Sequence, residues 1–223
     1  MSLVGALVRR TVPSATLLRW LCRLDNAVYR ALSLASIEYG GGLHVKHRLT
    51  RYHEFFVARV AAGERVLDIG CGNGALAADI ARERKAVVTG IDQSAAAIRA
   101  ARAAHDAEGI TFTEGDARRL PPGAFDVVIL SNVLEHLDDR VRFLRDTVAP
   151  TGAARVLVRV PLFERDWRVP LKRELGVEYR LDPTHCVEYT QEAFDAEMAA
   201  AGFAVDERQV RWGEIWAVCR PCR

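Results

Sequence analysis

The run Arg65-Val66-Leu67-Asp68-Ile69-Gly70-Cys71-Gly72-Asn73-Gly74 constrains the fold more than any other stretch of this chain. It reads as a short buried strand that ends on an acid and turns through three alternate glycines. Ala75 to Arg82 follow with helical composition and spacing. A glycine turn between strand and helix lets the backbone pass close to a bound cofactor, with no Cβ in the way. Gly70, Gly72 and Ala75 satisfy the loose G-x-G-x-x-G/A pattern of dinucleotide sites. Asp68 argues against a dinucleotide, because a carboxylate there repels a pyrophosphate and attracts a cationic cofactor.

Two further acids point the same way. Ala86 to Asp92 is a second apolar strand ending on Asp92, at the position where an acid accepts the hydroxyls of a ribose. Ile110 to Ala117 is a third strand ending on Gly115-Asp116, where a carboxylate can accept from an adenine amino group. Three strands ending in acid at one sheet edge suit a cofactor that carries a ribose, an adenine and positive charge.

Asp68 to Gly74, Asp92, Gly115-Asp116-Ala117 and the run from Phe125-Asp126-Val127-Val128 to Leu134-Glu135-His136-Leu137 together resemble the class I S-adenosylmethionine (SAM) dependent methyltransferases. The likeness is to the branch of the ubiquinone-biosynthesis and small-molecule enzymes, and it covers about residues 60 to 220. It implies a soluble, cytoplasmic enzyme with SAM as cofactor. The implied fold is α/β: a doubly wound, mostly parallel seven-stranded sheet with an antiparallel last strand, preceded by an N-terminal helical extension. The expected division is a helical extension or lid over residues 1–62 and a SAM-binding domain over 63–223. Within that domain, 161–189 is a substrate-side insertion.

Bulk properties narrow the partners. Thirty-one basic residues face twenty-nine acidic ones, so nothing forces a nucleic-acid partner. Lysine occurs only at 46, 85 and 172, and the remaining basic residues are arginine. Five cysteines, at 22, 71, 186, 219 and 222, suit a reducing compartment, and the terminal Cys-x-x-Cys reads as two incidental thiols. Leu3 to Val8 is too short an apolar core for a signal peptide, and Arg9-Arg10 follow it.

Along the chain, Leu17, Trp20, Leu21, Leu24, Val28, Ala31, Leu32 and Ala35 mark a long amphipathic helix that Gly40-Gly41-Gly42 ends. His44 to Val60 reads as a second helix. Strands are expected near 65–69, 86–91, 110–113, 125–130 and 153–160, with helices near 75–84, 94–107 and 138–148. Pro161 to Tyr189 reads as a long irregular connection, followed by a helix at 191–201 and strands at 203–210 and 214–219. The apolar stripe of the first helix has two readings: packing over the site, which its interspersed arginines and acids favour, or contact with a membrane surface.

The expected cofactor-side residues are Asp68, Gly70, Cys71, Gly72, Asp92, Gln93, Asp116, Ala117 and Asn132. Arg48 joins them as a cation able to pair bidentately with a carboxylate of the cofactor or of an anionic substrate. His136 and His185 are the candidate catalytic groups, since histidine titrates near the operating pH of a general base. In similar enzymes Glu135 and His136 also fix their loop. Asn132, Glu135, His136 and His185 partly match the metal-binding set of RNA 2′-O-methyltransferases. Asn132 replaces the first carboxylate there, so no metal is expected. The expected acceptor is a small molecule, a sugar or a lipid-linked precursor, methylated at oxygen. The alternatives are a metal-assisted RNA 2′-O-methyltransferase-like enzyme and a non-catalytic partner subunit.

Overall fold

In a computed structural model, which describes residues 13–42 and 44–222, the strands pair into one seven-stranded sheet of order β3-β2-β1-β4-β5-β7-β6. They are β1 (Arg65–Ile69), β2 (Val87–Asp92), β3 (Ile110–Glu114), β4 (Val127–Ser131), β5 (Arg155–Pro161), β6 (Phe203–Arg211) and β7 (Glu214–Pro221). β1 to β5 are parallel, and β7 runs antiparallel to both its neighbours, as expected. The order reverses direction between β1 and β4, and a crevice opens at the carboxyl ends of the strands where that happens. Leu3–Val8 and Leu43 lie outside the described residues.

The near-continuous apolar strands are buried on both faces. Leu67, Val128 and Leu130 pack one face with Phe143, Leu144 and Phe194. Val66, Val127 and Ile129 pack the other with Phe56, Ile80 and Ile98. Cys219 is buried in β7 while Cys222 is exposed, so the terminal Cys-x-x-Cys does not present two exposed thiols.

By contacts the chain divides into two units, Met1–Thr50 with Phe163–Pro183 and Arg51–Leu162 with Thr184–Arg223. The second holds the sheet. The first holds α1 (Ser14–Tyr39) and α2 (Lys46–Thr50). The helix expected over 44–60 breaks at Arg51, whose φ of 54° is left-handed, and resumes in the second unit as α3 (Tyr52–Val57). The Thr50 hydroxyl closes α2 by donating to the Lys46 carbonyl at 2.7 Å. Past the break Tyr52, Phe55, Phe56 and Val57 are all buried. The sheet unit adds α4 (Ala75–Arg84), α5 (Ala95–Ala104) and α6 (Arg140–Phe143), the last continuing as a π turn over Leu144–Val148.

The segment 161–189 is more regular than expected. It contains α7 (Arg168–Glu174), with Pro170 in the first turn, where its missing N–H leaves no helical bond unmade. α8 (Gln191–Ala200) starts on Thr190, whose hydroxyl accepts the Ala193 amide.

Within the helical unit, α1 makes its contacts through its polar stripe. Lys172 Nζ donates to Asp25 Oδ2 at 2.6 Å and to Asn26 Oδ1 at 2.7 Å. Asn26 Nδ2 donates to the Glu178 carbonyl, and Arg19 Nε to that of Leu175. Lys172 is buried, and a buried ammonium needs such acceptors. Cys22 is the buried residue of α1, whereas Trp20, Leu21, Leu24, Val28 and Leu32 stay exposed.

Candidate active site

The glycine loop is pinned to the end of β2. The Ile91 carbonyl accepts from both Gly70 N at 2.7 Å and Cys71 N at 3.1 Å. Asp92 accepts the Gly72 amide at 2.9 Å through one oxygen and the Ser94 amide at 2.8 Å through the other. Gly70, Gly72 and Gly74 all have positive φ. A Cβ on Gly70 would lie 2.7 Å from Val133 Cγ2, whereas one on Gly72 would meet nothing within 4 Å. Gly72 therefore turns its bare Cα toward open space, the cradle a closely bound cofactor requires.

A cleft of about 460 Å³ opens at this sheet edge, and Gly70, Asp92, Gln93, Asp116, Ala117 and Asn132 all line it, joined by His136. Asp68, Cys71 and Gly72 are not among its lining residues. Arg48 is exposed on α2 and belongs to the other unit. A larger cavity of about 650 Å³ lies at the opposite sheet edge, beside Val87 and Ile110, and none of the three strand-end acids lines it.

Asp68 is buried, and its Oδ2 has no hydrogen-bond partner among the described residues. Burial, and after it the charge of Asp92, pushes its carboxyl up to about 7. Such a group is held ready for a cation. The Asn132 side-chain oxygen is likewise buried and unpartnered at the cleft, and Asn132 itself is left-handed, with φ 58°. These orphaned acceptors, the open Gly72 cradle and the row of acids fit SAM. Burial and the nearby Asp68 and Asp92 carboxylates raise the Cys71 thiol well above its usual range, so it is no nucleophile.

On the far side of the cleft the two expected histidines meet. The rings of His136 and His185 stand edge to face, with centroids 4.6 Å apart. His136 is exposed and lines the cleft; His185 is buried behind it. Thr184 Oγ1 lies 3.0 Å from His136 Nδ1, and Glu188 Oε1 lies 3.0 Å from His185 Nδ1. The Glu135 carbonyl accepts the Cys186 amide at 2.6 Å, which strings the 184–188 loop onto the turn Leu134–His136. The Glu135 side chain is fully buried, neither oxygen has a side-chain partner among the described residues, and burial pushes it up to about 7 against the pull of its own backbone amide, His185 and Arg159.

Several of these groups had no signal in the sequence. Thr184 and Glu188 sit on an aperiodic loop. Arg159 and Glu214 form a buried bidentate pair, with both contacts at 2.6 Å, and Tyr52 stacks on the guanidinium. Asn132 N donates to the Arg159 carbonyl, so this pair anchors the strand behind the cleft.

The methyltransferase-domain family model matches residues 42–208. A probable S-adenosylmethionine-dependent methyltransferase of Mycolicibacterium smegmatis is 31% identical over 192 residues, 82% of this chain and 70% of that protein. The ubiquinone biosynthesis O-methyltransferase of Azorhizobium caulinodans is 33% identical, covering 70% of this chain and 64% of its own length. Magnesium protoporphyrin IX methyltransferase from Synechocystis PCC 6803, solved with S-adenosylhomocysteine, superposes with a TM-score of 0.64. It covers 97% of this chain and 99% of its own at 18% identity, so it speaks for the fold. The chain belongs to the class I SAM-dependent methyltransferases.

Proposed function

We propose that this methyltransferase transfers the methyl group of SAM to an oxygen of a small-molecule, sugar or lipid-linked acceptor, with His136 taking the acceptor's proton. The observation that carries this reading is the position of His136. It lines the same cleft as Asp92 and Asn132, with Nδ1 held by Thr184. As the oxygen–methyl bond forms and the carbon–sulfur bond breaks, the acceptor hydroxyl must lose its proton, and imidazole is suited to accept it near neutral pH. His185, oriented by Glu188, backs the His136 ring and fixes its setting. Alignment and exclusion of water supply the rest of the rate. Relatives named ubiquinone biosynthesis O-methyltransferase and fatty-acid O-methyltransferase support an oxygen acceptor.

The test is methyl transfer from labelled SAM to a panel of phenols, carboxylic acids, sugars and amines. Transfer confined to amine nitrogen would overturn the oxygen assignment.

One observation favours a second reading. Glu135, His136 and His185 each offer a ligand atom, all within 4.8 Å of one another. The unpartnered Glu135 carboxylate and two imidazoles fit a divalent transition metal such as zinc, which would act as a Lewis acid at the acceptor oxygen. Loss of activity in a chelator, restored by added metal, would select this reading over the first.

A further inference from the structure

We propose that the exposed apolar face of α1 is a docking surface for an anionic lipid bilayer. On most surface helices the apolar stripe faces the core and the charged stripe faces water. Here the polar stripe, with Arg19, Asp25 and Asn26, makes the contacts to α7 and the turn beyond it. Trp20, Leu21, Leu24, Val28 and Leu32 share the opposite side and are 66%, 51%, 59%, 50% and 61% exposed. A continuous apolar face of this kind marks an interaction site.

The rims of that face identify the partner. Along one border run Arg23 and Arg30, seven residues apart and both exposed. At the other border Asp25 pairs with the buried Lys172 at 2.6 Å and with Arg168 at 2.7 Å, and Asp166 binds Arg168 as well, so that border carries no net charge. An apolar strip flanked by an arginine rim complements acyl chains below anionic headgroups. Trp20 adds an amphipathic ring suited to the headgroup depth. A second copy of the chain fits less well, because antiparallel pairing of two such faces would set arginine rim against arginine rim. Among the described residues no helix is long and apolar enough to cross a membrane, so α1 would lie in the surface plane.

The experiment is co-sedimentation of the full chain with vesicles of phosphatidylcholine alone or mixed equally with phosphatidylglycerol. Binding is expected to the anionic vesicles only and to weaken as salt rises. Arg23→Gln with Arg30→Gln should weaken partitioning about 25-fold, from roughly fivefold per arginine. Trp20→Ser with Leu24→Ser should abolish it. Both variants change exposed side chains, so circular dichroism and SAM-induced thermal shift should match the parent. Absence of binding to anionic vesicles, or equal binding by the folded double variants, would overturn the proposal. So would a concentration-dependent dimer that Trp20→Ser with Leu24→Ser dissolves while vesicle binding stays absent, which would assign the face to a second copy.

Discussion

Asp92 accepts the Gly72 amide at 2.9 Å, so the acid that closes β2 also holds the glycine loop that leaves β1. The expected ribose contact and the loop's conformation thus depend on one carboxylate. Asp92→Ala removes both, and SAM affinity should fall by about 1–3 kcal/mol, the usual cost of stranding buried hydrogen-bonding groups. Titration calorimetry on the folded variant measures it. Unchanged affinity would take Asp92 out of the site.

Gly72 separates strain from proximity. Its φ is +55° and an added Cβ would meet nothing within 4 Å, so the protein itself leaves room for a side chain. Asparagine tolerates the left-handed region better than most residues. If close cofactor approach is what the glycine serves, Gly72→Asn should keep its thermal midpoint and lose SAM binding, and Gly72→Val should lose both. Binding retained by Gly72→Asn would reduce the loop to an ordinary turn.

Asp68 predicts a pH signature. Its carboxyl rises from an ordinary 3.8 to about 7 in the folded chain. The folded state therefore binds more protons than the unfolded state between those values, and stability declines as pH climbs from about 4 to about 7. Glu135, raised from 4.5 to about 7, contributes a like decline, so Asp68→Asn should remove only the share that Asp68 supplies. If a cationic group of SAM lies beside Asp68, binding near pH 6.5 should release a proton, and release should fade above about pH 8. Calorimetry in buffers of different ionisation enthalpy counts the proton. No release in the parent would move the cation elsewhere.

The two histidines should separate by kinetics. His136→Ala is expected to lower turnover by about 10²–10⁴-fold with SAM affinity nearly unchanged, as for a lost general base. His185→Ala, and Glu188→Gln behind it, should have smaller effects that fall mainly on acceptor KM. Full turnover in the double histidine variant would leave alignment as the source of catalysis.

Bringing Glu135, His136 and His185 together makes the same measurements informative about metal. Under the general-base reading, turnover persists in excess EDTA. Under the metal reading, chelation and either histidine variant abolish turnover together, and zinc or manganese restores only the chelated parent.

The glycine loop and its flanks were legible because their cause is local. A buried parallel strand reads as an unbroken apolar run, so β1 and α4 fall where the pattern places them. Strand-end acids were legible for a related reason, since a parallel sheet brings every carboxyl end to one edge. The break at Arg51 was not, because arginine carries no left-handed signal. α7 was hidden by Pro170, which reads as a breaker yet sits where a helix tolerates it. Thr184 and Glu188 acquire their meaning only when tertiary folding sets them beside His136 and His185. Periodicity revealed two stripes on α1, but a stripe does not state which way it faces.

The buried Lys172 ammonium has a practical consequence for dissecting this protein. Its acceptors Asp25 and Asn26 come from one end of the chain, while Lys172 itself lies far downstream in α7. The helical unit is thus assembled from two stretches that the sheet's own sequence interrupts. Cutting the chain at Thr50 would not liberate a clean sheet domain. It would leave a lysine inserted between strands β5 and β6 with its charge uncompensated, so a minimal catalytic fragment must also replace or excise 163–183.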